Sequence, residues 1–246
     1  MMSKYNKIYF LHVPKTGGRF FTKYILEPIT DTLKENNIDV IQLPPNVSKH
    51  GGWHNDIDDS TYIVSVFRDP VEFFVSVIAH MFADIEKILD EDKDYIIKDK
   101  AKILDIPTSV VHEKINQLKY MQNFQSQNFI LAPQQNHIIQ ESMKHHSDGY
   151  GFDKELIYER IKRVNLMIRH EDLKIMDYSL LLDKISKDLE IDINIELSDA
   201  DREHYKNISS ENLFNKLSKE DRDAIYNNFL LDKEIYENDS LFWTGK

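Results

Sequence analysis

Residues 7–18 read Lys7-Ile8-Tyr9-Phe10-Leu11-His12-Val13-Pro14-Lys15-Thr16-Gly17-Gly18. The first seven form a continuous apolar run, as expected of a strand covered on both faces. Pro14 has no N–H for a ladder and ends it. Lys15 to Gly18 make a turn. From Arg19 to about Asn36 the pattern is helical, with Phe20, Tyr24 and Leu26 among its apolar positions and a kink or split expected at Pro28. A buried strand that ends in a glycine turn and opens a helix is the first unit of a parallel sheet with crossover helices.

The rest of the chain extends that unit. Asp39–Leu43 is a second short strand and Pro44–Ser60 a loop. Thr61–Phe67 (TYIVSVF) is a second strong buried strand. It ends at Arg68-Asp69-Pro70, and a helix runs from Val71 towards Leu89. The middle then turns helical. Asp94–Asn123 is amphipathic and charged, with a break near Pro107. A helix is expected over Asp153–Arg163, a strand over Asn165–Arg169 and a helix from Asp172 to about Leu189. Ser218 and Asp221 have capping-box spacing before a helix over Glu220–Leu230. There is no internal repeat and no low-complexity linker. The expectation is one domain over residues 1–246. Its class is α/β: a P-loop-like three-layer α/β/α arrangement with a central, mostly parallel sheet and a helix-rich middle and C-terminal half.

Hydrophobic residues make up 41% of the 246, enough for a sizeable core, and charged residues 30%. The net charge of -11 argues against a nucleic-acid module, because such binding rests on neutralising phosphates. Residues 1–26 break the trend. They hold Lys4, Lys7, Lys15, Arg19 and Lys23 and no acid, a local field suited to an anion. The absence of cysteine excludes disulfides and thiolate metal sites. No stretch approaches the roughly 20 apolar residues of a membrane span, and no signal-peptide pattern is evident. A soluble, cytoplasmic or other intracellular protein of bacterial or viral origin is expected.

Two segments carry the chemistry. In the first, a turn at the carboxyl end of a parallel strand points N–H groups outward. Gly17 and Gly18 let the backbone approach an anion, and the helix adds its positive end. Lys15 supplies a charge and Thr16 a hydroxyl. This is not the Walker arrangement, since the lysine precedes both glycines. In the second, Arg68 ends a strand and Ser76 lies eight residues on, both able to reach one phosphate.

Together these segments resemble the PAPS-dependent sulfotransferases, most closely the carbohydrate branch that includes heparan sulfate 2-O-sulfotransferase. PAPS is 3′-phosphoadenosine 5′-phosphosulfate. The strong match covers about Lys7–Val77. Weaker echoes lie in Asn123–Leu131, Leu166–Leu173 and Asn207–Tyr236. The resemblance implies that Pro14, Lys15, Thr16, Gly17 and Gly18 hold the 5′-phosphosulfate. Arg68 and Ser76 would hold the 3′-phosphate, and Lys206 would contact phosphate from a closing loop. Arg19 stands where the family often has Thr or Ser and is a further cofactor-binding candidate. No metal is implied. The acceptor would be a hydroxyl on a carbohydrate or small molecule.

A sugar hydroxyl needs a base, and imidazole suits the task. Lys49-His50-Gly51-Gly52-Trp53-His54 lies in the interval where the carbohydrate sulfotransferases often carry a catalytic histidine. His50 and His54 are both candidates, and Lys15 is expected to stabilise the departing phosphate. No third ligand at convincing spacing turns these histidines into a metal site. Trp53 is either a sugar platform or a packing anchor. His12 reads as structural and His145-His146 as solvated. His170-Glu171-Asp172 reads as a helix start. The rival readings are a P-loop-like kinase, which needs Mg²⁺, and a non-catalytic nucleotide-binding relative. The acceptor's identity and the oligomeric state are not legible.

Overall fold

Four strands pair in the order β2-β1-β3-β4 in a computed structural model. They are β1 (Lys7–Leu11), β2 (Asp39–Val40), β3 (Thr61–Phe67) and β4 (Leu166–Arg169). Every pairing is parallel, with Tyr9 opposite Ile63 and Val64 opposite Leu166. The structure describes residues 3–41, 52–89, 106–117, 122–130, 153–195 and 208–245.

All seven residues of β3 are buried, as suits a central strand rich in β-branched and aromatic residues. Alternate side chains feed two cores. Ile8, Phe10, Val64, Val66 and Ile168 point to one face. There they meet α1 (Gly18–Phe21), α2 (Glu27–Glu35) and α8 (Tyr178–Leu189) through Phe21, Ile29, Leu181 and Ile185. Tyr9, Leu11, Ile63, Phe67 and Met167 point to the other. They meet α6 (Lys154–Lys162) and α11 (Leu230–Tyr236) through Ile157, Ile161, Leu231 and Ile235. Helices on both faces of a parallel sheet make the expected α/β layering, and the sheet is wholly parallel among the described residues.

A third core is all-helical. α3 (Pro70–Leu89) places Val71, Phe73, Phe74 and Ile78 against Val111 of α4 (Ser109–Gln117) and Phe124 of α5 (Phe124–Gln127). Leu213 of α9 (Ile208–Lys216) and Ile225 of α10 (Lys219–Asn228) complete it.

Local details depart from the pattern in instructive ways. Pro28 does not split its helix. A π-helical turn, Thr22–Leu26, joins α1 to α2, and the Glu27 N–H donates to the Thr22 carbonyl. The helix expected from Asp172 to Leu189 is two helices. α7 (His170–Ile175) ends at an extended Met176, and the Asp177 carboxylate caps α8 by accepting from Ser179 N–H at 2.9 Å. The Ser218–Asp221 capping box is formed. Its helix stops at Asn228, and Leu230 starts a new one. Asn123 and Asp232 cap one another's helices. The Asn123 side chain accepts from the N–H groups of Leu231 and Asp232, and the Asp232 carboxylate from those of Gln125 and Ser126.

No helix among the described residues is long and apolar enough to cross a membrane.

Candidate anion-binding site

Strand order sets the place. From β1 the chain crosses to β2 on one side, and β3 lies on the other. The crevice beyond the carboxyl ends of β1 and β3 is therefore a topological switch point, where open α/β sheets take ligands. Both sequence segments end there.

The loop after β1 is tightly built. Lys15 has φ of 64° and Gly17 of 88°, so two of its four residues are left-handed. Glycine adopts this freely, whereas lysine is held in it at a cost. Thr16 is buried, and its hydroxyl donates to the Val13 carbonyl at 2.8 Å. That hydroxyl braces the loop from within. A Cβ on Gly18 would lie 1.8 Å from the buried His12 ring, so glycine is required there by packing. Pro14 and Lys15 are half-buried, and the helix opens at Gly18.

Arg68 ends β3 and is only 8% exposed. Its Nη1 donates to the Lys15 carbonyl at 3.2 Å, tying the two strand ends together. Its Nε and Nη2 each lie 3.1 Å from Glu72 Oε2, one helical turn along α3. Gln125 clamps its backbone from both sides: Arg68 N–H donates to Oε1 and Gln125 Nε2 to the Arg68 carbonyl, each at 2.8 Å. Asp69 does not pair with Arg68. Its carboxylate caps α3 through the N–H groups of Val71 and Glu72 and accepts from the Tyr226 hydroxyl at 2.6 Å. Ser76 is buried on α3, on the same stripe as Arg68 and Glu72.

The end of β4 adds a group the sequence reading set aside. The His170 ring packs against the loop, with Cδ2 3.0 Å and Nε2 3.5 Å from where a Cβ on Gly17 would sit. Its Nδ1 is buried without a hydrogen bond, 3.9 Å from Glu72 Oε2 and 3.8 Å from Glu171 Oε1. Burial, and then the nearby Arg68 and Lys174, hold its pKa down at about 4, partly countered by Glu171. Glu171 Oε1 is likewise buried without a partner, while Oε2 accepts from the Tyr236 hydroxyl at 3.0 Å. Burial works against that charged carboxylate, while its own backbone N–H and the Tyr236 hydroxyl favour it.

Glu72, His170 and Glu171 bring donor atoms within 4.8 Å of one another, the kind of set that can hold a cation. The charge there is already matched. Glu72 Oε2 takes Arg68 on one side and Lys174 Nζ at 3.5 Å on the other.

His54 is half-buried. Its Nδ1 accepts from Asp56 N–H at 3.1 Å, and its ring centroid lies 6.0 Å from that of Tyr9. Trp53 is a packing anchor: it is buried, with the guanidinium groups of Arg160 and Arg163 over its ring at 4.9 and 5.3 Å. His50 and Lys206 lie outside the described residues, as does the side chain of Arg19.

His170 had a usable signal, since it follows directly on a strand's carboxyl end. Glu72 lay on the helix stripe between two chosen residues. Gln125 had none, because its role depends on a contact 57 residues away.

Comparisons with family models, with curated proteins and with solved structures each found no match.

Proposed function

We propose that this chain is a PAPS-dependent sulfotransferase with a P-loop-like sheet, moving a sulfuryl group to an acceptor hydroxyl. The observation that supports it best is the Arg68–Lys15 contact across the switch-point crevice. It brings a phosphate-type loop and a strand-end arginine to one crevice, and this supports a ligand with more than one phosphate.

In this reading the loop N–H groups, Gly17 and Lys15 receive the 5′-phosphosulfate. Arg68 receives the 3′-phosphate through the Nε and Nη2 edge that faces Glu72 Oε2. Lys174 remains to hold Glu72. Ser76 lies one turn beyond Glu72 and adds a hydroxyl. A base, His50 or His54, takes the acceptor proton as the bond to sulfur forms. At His54 the bond from Asp56 N–H occupies Nδ1 and leaves Nε2 for that task. Lys15 stabilises charge on the departing phosphate, mainly in the transition state.

Calorimetric titration with adenosine 3′,5′-bisphosphate, against ATP with Mg²⁺, tests the reading. The bisphosphate should bind without metal. Binding of ATP with Mg²⁺ alone would point to a kinase instead. Arg68→Ala should weaken the bisphosphate far more than adenosine 5′-phosphate. Equal losses would remove Arg68 from the 3′-phosphate site.

A further inference from the structure

His170 sits at the junction of three elements. Its ring edge faces the backbone at Gly17, which any loop-bound anion must approach. Its Nδ1 faces two carboxylates, Glu72 from α3 and Glu171 from its own helix, and bonds to neither. The other charged and titratable groups acting on it are Arg68 at the end of β3 and Lys174 on α7, with Tyr236 of α11 acting through Glu171.

The formal charges of Glu72 and Glu171 cancel those of Arg68 and Lys174. The imidazole between them therefore has no net charge to answer, and burial favours its neutral form. A dianion seated in the loop changes this. Lys15 answers one of its charges and one remains. His170, with its ring against Gly17 and its Nδ1 facing two carboxylates, can supply the balancing charge.

We propose that His170 is a further anion contact of the loop, and that it takes up one proton from solvent when a dianionic phosphate or sulfate group binds. The imidazolium would then direct Nε2–H to the ligand and Nδ1–H to the two carboxylates. No covalent bond to the ligand forms or breaks. The proposal rests on the anion-binding part of the functional reading and is independent of which group is transferred.

The test is calorimetric titration of the full chain with sodium sulfate, which stays dianionic throughout, and with adenosine 3′,5′-bisphosphate. It runs from about pH 5 to about pH 8, the span in which imidazole charge usually changes. Sulfate affinity should fall as pH rises, by up to about tenfold per unit within the window between the free and bound pKa values. Buffers of different ionisation heat should report proton uptake on binding. His170→Gln, checked for an unchanged unfolding temperature, should flatten the sulfate profile and abolish the uptake. A slope or uptake that persists in His170→Gln overturns the proposal, as does wild-type binding of either anion without uptake. Binding of both anions only with added Mg²⁺ overturns it too, because His170 would then face a metal. If neither anion binds at any pH, the anion site itself fails and this proposal with it.

Discussion

The guanidinium of Arg68, at the end of β3, donates to the carbonyl of Lys15, at the end of β1, over 3.2 Å. Lys15 is left-handed at φ of 64°. A residue with a side chain is therefore held in a conformation that glycine adopts without cost, and the arginine of the neighbouring strand holds it there. The same lysine is the one expected to meet the ligand. Strain of this kind persists where surrounding contacts fix it.

Lys15→Gly should therefore separate stability from function. Relief of the left-handed strain should stabilise the fold by about 1 kcal/mol, partly offset by the extra freedom of glycine in the unfolded chain. Binding of the bisphosphate should weaken at least tenfold, because the loop loses its charge. Chemical denaturation and calorimetry on the same variant check both. A destabilised Lys15→Gly would mean that the lysine side chain supports the fold.

Gly18 and His12 form a second interlock. A Cβ at Gly18 would stand 1.8 Å from the His12 ring, which is buried and stacked on Phe10 at 5.4 Å between centroids. Neither backbone nor ring can give way cheaply. Gly18→Ala should cost about 2 kcal/mol or more as overpacking. The clash is with one side chain, so Gly18→Ala with His12→Ala should be more stable than the sum of the two single losses predicts. Additive losses in denaturant melts would place the clash elsewhere.

Gln125 is buried, and its amide satisfies both backbone groups of Arg68. Gln125→Leu keeps a similar volume and orphans a buried donor and a buried acceptor. About 3 kcal/mol should be lost, since each unsatisfied group costs about 1–3 kcal/mol. Arg68 would lose its fixed direction at the same time, so bisphosphate affinity should fall although residue 125 is not proposed to touch the ligand. Unchanged affinity with lowered stability would show that Gln125 serves the fold alone.

The sheet was legible because its signals are local. Thr61–Phe67 is a mainly apolar run that is buried at every position, and the structure keeps those bounds. Turn chemistry marked the loop at Gly17 and Gly18 for the same reason. The partners of the site were not legible. Glu72 looks like an ordinary helix acid until Arg68 and Lys174 are folded onto it. His170 looks like a helix start, which it also is. Its meaning comes from Gly17, more than 150 residues away, and from burial that no sequence window reports. Where periodicity misled, between α7 and α8, an Asp177 cap had opened a new helix in a way spacing does not encode.

Asp232 gives the fold a pH dependence of unusual sign. It is fully buried, and burial raises its pKa to about 6 although Ser126 Oγ–H and the N–H groups of Ser126 and Gln125 oppose the shift. An unfolded aspartate titrates near 3.9. Between about pH 4 and pH 6 the folded state thus holds a proton that the unfolded state has lost. Stability from this group is fully present below that window and declines as pH rises through it. Two units correspond to about 3 kcal/mol. Ordinary paired carboxylates such as Glu234, lowered by Lys154 and Tyr158, slope the other way, so the wild-type curve alone is ambiguous. The difference between wild type and Asp232→Asn isolates the group. Denaturant melts across this range should show wild type losing ground to Asp232→Asn as pH rises towards 6, then a constant gap. A gap that does not change with pH would mean that Asp232 keeps one charge state throughout, and that the caps of α5 and α11 are not coupled to a proton.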